Sequence, residues 1–202
     1  MPLWLAAEPL ILASQSKVRR ALIEAAGIPV EIRPAHLDER AIEQQVVSGD
    51  PGEVALTLAR EKARTVAAMS GPGIVVGCDQ TLALGKQRFS KPADRQAARA
   101  QLMAMRGKTH QLHSGVAVCR NGSVTFNQVT AAQMTMRDFS EDFLEAYLDV
   151  AGSLVTETVG AYHLERTGIH LFEKIEGDNF TILGLPLLPL LEHLRQQGVL
   201  AA

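Results

Sequence analysis

Residues 9–13 (PLILA) form a short continuous apolar run, and the polar Ser14-Gln15-Ser16 follows it. Val18, Leu22, Ile23 and Ala26 then recur at helical spacing. The pattern predicts a strand, a serine-rich turn and a helix over about 17–26, stopped by Gly27 and Pro29. Val30 to Arg33 alternates and predicts a short strand. A short helix is expected over 41–47 and a longer one over 52–69, with Val54, Leu58, Ala59, Lys62 and Val66 along one side. Lys62 thus projects beside an apolar face, with either its stem buried and its charge in water or its charge pointed into a site. Ile74-Val75-Val76 is β-branched and too short for a helix, so it predicts a buried strand with Asp79 at its C-terminal end.

The second half of the chain changes period. A helix is expected over 94–105. Residues 109–119 and 123–137 read as long strands joined by the hairpin turn Asn121-Gly122. Val124, Phe126, Val129, Ala131 and Met134 are the inward candidates of the second strand, with a slip of phase between Phe126 and Val129. A helix over 140–150 follows, then strands over 159–164 and 168–174, and a leucine-rich helix over 187–197, expected in the core. Strand–helix alternation followed by a hairpin gives a mixed α/β fold, one domain over 1–202.

Hydrophobic residues make up 47% of the 202, and charged residues 21%, enough for a sizeable core. The net charge of −2 argues against a protein that coats nucleic acid. Cys78 and Cys119 lack metal-ligand spacing, which fits a reduced, cytoplasmic setting. The apolar N-terminal stretch is broken by Glu8 and two prolines and lacks a basic start, so neither an export signal nor a membrane span is expected.

Three places carry candidate chemistry. Ser14, Ser16, Arg19 and Arg20 gather hydroxyls, guanidinium groups and free N–H groups at a helix start, which suits a phosphate; the plainer reading is a serine cap with solvated arginines. Asp38-Glu39 can hold a hard divalent cation or form the acidic start of a helix. Asp79 beside a buried run needs a partner, because an ionised carboxylate out of water is costly. Lys91 follows, either at a site or as solvated surface. No G-x-G-x-x-G follows a strand, so a dinucleotide-binding protein is a poor reading.

Ala13-Ser14-Gln15-Ser16-x-x-Arg19, Asp38-Glu39, Ala59-Arg60-Glu61-Lys62-Ala63, Gly77-Cys78-Asp79, Lys91-Pro92, Gly107-Lys108-x-His110, Gly160-Ala161-Tyr162 and Gly177-Asp178 through Gly184-Leu185-Pro186 come in one order. Together they resemble the Maf family of nucleoside triphosphate pyrophosphatases, from about Leu10 to Arg195. The resemblance implies an elongated, twisted mixed sheet like that of the inosine triphosphate pyrophosphatases, with two lobes flanking a cleft. It implies hydrolysis of a nucleoside triphosphate to the monophosphate and pyrophosphate with a divalent cation, Mg²⁺ or Mn²⁺. Asp79 takes the position of the proposed catalytic base. Ser14, Arg19, Glu39, Lys62 and Lys91 match polar residues of the active cleft, and Ser16 with the helix start would add phosphate donors. Glu39 and Asp79 would hold the cation, with Asp79 as base, metal ligand or both.

Subgroups of the family differ at the positions of Val18, Gln80 and Glu165. Gln80 and Glu165 resemble the subgroup that acts on 7-methylguanosine triphosphate, in which Glu165 could pair with the N1–H and N2–H edge of guanine. Its bland reading is a surface charge beside Arg166. Val18 stands where that subgroup has a large aromatic, and Lys17 replaces the usual proline. The resemblance thus points to 7-methyl-GTP, with thymidine and uridine triphosphates or a broad range as the alternative. A nucleotide-binding regulator of septum formation without turnover is the reading from another class. The expected partner is a small-molecule nucleotide, with no nucleic acid and no membrane, and a homodimer is possible.

Overall fold

A computed structural model describes residues 2–202. Strand β1 (Leu10–Leu12) leads into helix α1 (Lys17–Ala25), and β2 (Val30–Ile32), α2 (Glu39–Gln45) and α3 (Pro51–Ser70) follow. Next come β3 (Ile74–Leu84), β4 (Gln87–Phe89), α4 (Arg95–Met105), β5 (Thr109–Arg120) and β6 (Ser123–Met136). Helix α5 (Glu141–Ala151), a run of 3-10 turns, β7 (Phe172–Glu176), α6 (Asn179–Ile182) and α7 (Leu187–Gln196) complete the chain. The sheet has seven strands in the order β2-β1-β3-β5-β6-β7, with β4 paired to β3. Parallel β1–β2 and β1–β3 ladders coexist with antiparallel β3–β4 and β6–β7 ladders, so the sheet is mixed as expected. No helix among the described residues is long and apolar enough to cross a membrane.

The chain forms two compact units, each built from separated stretches. Among the described residues the first comprises 2–80, 113–130 and 179–202, and the second 81–112 and 131–178. In the first unit both faces of the sheet are covered. Leu10, Leu12, Val76, Cys78, Val116 and Val118 pack with Ile23 of α1 and with Leu187, Leu190 and Leu194 of α7. The alternate residues Ile11, Ala13, Val75, Ala117 and Cys119 pack with Ala59, Ala63 and Val66 of α3. In the second unit Arg95 and Arg99 of α4 pair with Glu141, Glu145 and Asp149 of α5.

Helix α3 lies unusually close to the sheet. A Cβ on Gly77 would sit 2.1 Å from the Ala59 carbonyl oxygen and 2.6 Å from the Ala63 nitrogen. One on Gly115 of β5 would sit 2.6 Å from the Ala55 carbonyl oxygen. Two strand glycines thus face an alanine row spaced four residues apart, which lets backbone meet backbone.

Three expectations are corrected. First, β3 continues from Ile74 to Leu84, so Asp79 lies in mid-strand, not at a strand end. Its polar side chain does not break the strand because it is paired within the fold. Second, no strand runs over 159–164. Gly160 and Ala161 have φ of 81° and 62°, outside any β conformation, and a 3-10 turn forms. Similarly, 167–171 is a 3-10 turn, and the strand expected at 168 begins at Phe172. Third, from Ala131 to Met136 the strand β6 alternates, with Ala132, Met134 and Met136 buried and Ala131 exposed, so Ala131 is not an inward residue. The slip arose because Val129 is apolar on the other face, where it meets the α3 side at Gly52.

Gly77→Ala is expected to lower stability by about 3 kcal/mol or more, since backbone must move. Gly73→Ala, with ordinary contact only to Ile11, is expected to cost under about 1 kcal/mol. Thermal unfolding of both variants checks this; equal small losses would contradict the close packing of α3.

Candidate active site

The first unit brings most of the sequence-derived candidates together where β1 stops. β1 pairs with β3 at Val75 and Val76, and the Ala13 N–H donates to Val76 O. From Gly77 onward β3 runs past the end of β1. The carboxyl ends of parallel strands are a usual place for ligands in such sheets.

Ser16 caps α1, its Oγ accepting from the Arg19 N–H. Ser14 Oγ accepts from the Ser16 N–H and, at 3.2 Å, from Arg19 Nη1. Arg19 Nη1 also donates to Cys78 O at 2.8 Å, so the guanidinium takes the place of a strand partner on β3. Its Nε donates to Gly184 O at 2.8 Å. Gly184 has φ of 88°, and a Cβ there would lie 3.1 Å from Arg19 Nε. A side chain at 184 would therefore be strained and would also displace the guanidinium. With Nε and Nη1 held, Nη2 is the donor left over, with no partner among the described residues.

On the opposite face of β3, Lys62 reaches from the middle of α3. Its Nζ lies 2.5 Å from Asp79 Oδ1 and 2.8 Å from Glu39 Oε1. Asp38 caps α2 by accepting from the Ala41 N–H, and this places Glu39 at the first helical position. The Asp38-Glu39 pair thus divides its roles between a helix cap and the lysine. The Lys62 and Asp79 side chains are 11% and 12% exposed, while that of Glu39 is half exposed. Burial pulls the Lys62 ammonium down, but Asp79 and Glu39 outweigh it and hold its pKa above the ordinary lysine value. Burial pushes the Asp79 carboxyl up, opposed by Lys62 and Arg19. Asp79 Oδ2 has no hydrogen-bond partner among the described residues and is the oxygen open to a water or a cation.

Asp79 and Gln80 leave opposite faces of β3, as neighbours on a strand must. Gln80 Nε2 donates to Ser114 Oγ, Thr181 O and Ile182 O. Sequence reasoning missed Ser114 and Thr181, and it named Gly184 only within a motif, without a role. The available signal was Ser114 itself, a hydroxyl in phase with the inward Leu112, Val116 and Val118 of β5. Val18 is half-buried on α1. Cys78 contributes its carbonyl; burial pushes its thiol up to about 11, so it stays protonated.

Lys91 and Glu165 belong to the second unit. Lys91 is exposed between β4 and α4. Glu165 lies 3.4 Å from His163 Nδ1, and that hydrogen bond lowers its pKa, keeping it an ionised acceptor. His110 Nε2 and Tyr162 OH lie 2.8 Å apart, and Tyr147 OH donates to Ala161 O, which fixes the turn before His163.

These features define an α/β protein with a buried lysine–carboxylate cluster and an anchored arginine at the end of a parallel strand pair. The Maf-like protein family matches residues 9–197, and the chain belongs to that family. A Nitrobacter winogradskyi protein named nucleoside triphosphate pyrophosphatase is 53% identical over 201 residues, covering 100% of both chains. A Mesorhizobium japonicum protein named 7-methyl-GTP pyrophosphatase is 48% identical over 195 residues, covering 96% of this chain and 98% of its own. A solved HAM1 protein from Coxiella burnetii is 16% identical with a TM-score of 0.43, covering 64% of this chain and 73% of that one.

Lys62→Met leaves Asp79 and Glu39 facing each other without a cation. The expected loss is about 3 kcal/mol at about pH 8. The Asp79 carboxyl would then titrate still higher in the folded state than in the unfolded one. Its protonated form is therefore favoured by folding, and stability is recovered as pH falls and lost as pH rises. The gap in Tm from wild type should narrow at about pH 5; a gap independent of pH would contradict the buried cluster.

Proposed function

We propose that this chain hydrolyses a nucleoside triphosphate to the nucleoside monophosphate and pyrophosphate. The observation that carries this reading is the Lys62 ammonium held between Asp79 and Glu39 at the end of β1. The names of relatives that cover 96% and 100% of the chain support it.

A triphosphate concentrates negative charge, and its hydrolysis rests on positioning and electrostatic stabilisation. Arg19 Nη2, the Lys62 ammonium and the α1 N-terminus with Ser14 and Ser16 are the groups that would meet it. As Lys62 turns towards phosphate oxygens, Asp79 is released from its partner. Asp79 then takes a proton from water. The water oxygen bonds to the attacked phosphorus, the bond to the bridging oxygen breaks, and its electron pair leaves on that oxygen. Lys91 is proposed as a further phosphate contact on the family's pattern.

Among the described residues no three carboxylate, histidine or cysteine side chains converge into an all-protein metal cage. Mg²⁺ bound with phosphates needs fewer: one or two carboxylates, with waters and phosphate oxygens completing its shell. Asp79 Oδ2 and the half-exposed Glu39 carboxylate fit that donor set, and they are the residues proposed to hold Mg²⁺ or Mn²⁺. Such a cation would neutralise charge on the phosphates.

The substrate proposed is 7-methyl-GTP. Gln80 and the ionised Glu165 support it, as does the name carried by the Mesorhizobium relative. Val18 supplies no aromatic ring for stacking, so acceptors at 80 and 165 carry the discrimination in this reading.

Pyrophosphate release measured over a panel of nucleoside triphosphates tests the reading. Wild type should act on 7-methyl-GTP above UTP and dTTP. Asp79→Asn should lose at least about 100-fold in kcat while keeping its circular dichroism spectrum. Near-normal turnover by that variant would sink Asp79 as the base. Because burial raises the Asp79 carboxyl, kcat/KM should climb with pH through a pKa above the ordinary aspartate value. Glu165→Gln should weaken 7-methyl-GTP about tenfold more than UTP; equal losses on both would remove its base-reading role.

A further inference from the structure

Gln80 is held in a setting that fixes which end of its amide faces a ligand. Its Nε2 donates to Ser114 Oγ at 3.0 Å, Thr181 O at 3.1 Å and Ile182 O at 3.0 Å. Ser114 is buried, and its Oγ donates to Thr181 O at 2.6 Å. The hydroxyl proton is therefore directed at the carbonyl, and a lone pair faces Gln80. Thr181 is held in turn by Thr130, their Oγ1 atoms 2.8 Å apart. The two protons of Nε2 thus face acceptors alone. A reversed amide would set Oε1 against two carbonyl oxygens, and the Ser114 hydroxyl could turn to it only by giving up Thr181 O, so bonds are lost and repulsion is added. The same short segment ends at Gly184, whose carbonyl anchors Arg19. Gln80 Oε1 has no partner among the described residues, and the residue is only partly buried.

The geometry points to Ser114 and the Thr181–Ile182 turn as positioning groups that lock Gln80 into presenting an acceptor, and so to a base whose edge offers N–H donors there, as guanine does. This rests on the pyrophosphatase reading for its substrate and on hydrogen bonding alone for the orientation. Ser114 acts through Gln80 and touches no substrate in this scheme. Position 80 then discriminates by acceptance only: a ligand presenting an oxygen to it loses a hydrogen bond and meets a like dipole.

Two measurements test it. Gln80→Glu places a second oxygen against the carbonyls of Thr181 and Ile182, so its carboxyl should stay protonated in the folded state. That raised pKa makes stability fall as pH rises. The Tm deficit relative to wild type should grow between about pH 5.5 and about pH 8. Arg19, bonded to Gly184 O, is the charged group sharing this segment and is present in both proteins. Asp79, one residue away on the opposite face, titrates too, so the same comparison is made in an Asp79→Asn background. A deficit equal at both pH values overturns the fixed orientation. Ser114→Ala should lower the kcat/KM ratio for 7-methyl-GTP over UTP by about threefold to tenfold; an unchanged ratio overturns the positioning role. If wild type releases pyrophosphate from no triphosphate, the pyrophosphatase reading fails, while Gln80→Glu still decides the orientation.

Discussion

A lysine charge buried against a β-sheet must be balanced where it stands, and the first unit is arranged around that requirement. Lys62 rides on the face of α3 that packs on β3, so its ammonium is largely withdrawn from water. Asp79 from the strand and Glu39 from α2 flank it instead. A buried pair of this kind contributes little net stability, because desolvation offsets much of the Coulomb attraction. Asp79 in particular is held in a place that burial disfavours for its ionised form. Such a cluster is better understood as a poised site than as a staple of the fold.

The backbone geometry makes the cluster possible. Gly77 and Gly115 remove the side chains that would hold α3 away, and Ala55, Ala59 and Ala63 do the same from the helix side. The sheet then ends at the right place: β1 stops at Leu12, and β3 continues alone with its Cys78 carbonyl taken by Arg19. The two faces of β3 carry different tasks. One presents Asp79 to Lys62 and Glu39. The other presents Gln80 to the turn after β7, where Gly184 also anchors Arg19. A ligand that touched both residues would lie across the strand edge beyond β1.

Much of this was legible in the sequence, for physical reasons. A lysine on an apolar stripe and a carboxylate beside a buried run each demand a partner, and they are each other's. The Ser14–Arg19 turn was legible because caps and anion sites use the same residue types, and here Ser16 caps while Ser14 braces Arg19. Other features were not legible. Asp79 looked like a strand end because its partners are distant in sequence. Residues 159–164 have strand composition, but Gly160 and Ala161 adopt positive φ, which composition does not reveal. Val129 disguised the phase of β6 because both faces of the sheet are covered there. Ser114 escaped notice since its role depends on two carbonyls near the end of the chain.

The central claim is that Lys62 passes from Asp79 to the substrate's phosphates and so releases Asp79 for proton transfer. A crystal structure with an α,β-methylene nucleoside triphosphate analogue addresses it directly. The account predicts Lys62 Nζ within hydrogen-bond distance of a phosphate oxygen, Arg19 Nη2 on the same triphosphate, and Asp79 Oδ2 facing an ordered water or cation. A bound analogue with the Lys62–Asp79 pair intact and its phosphates remote from both would contradict it.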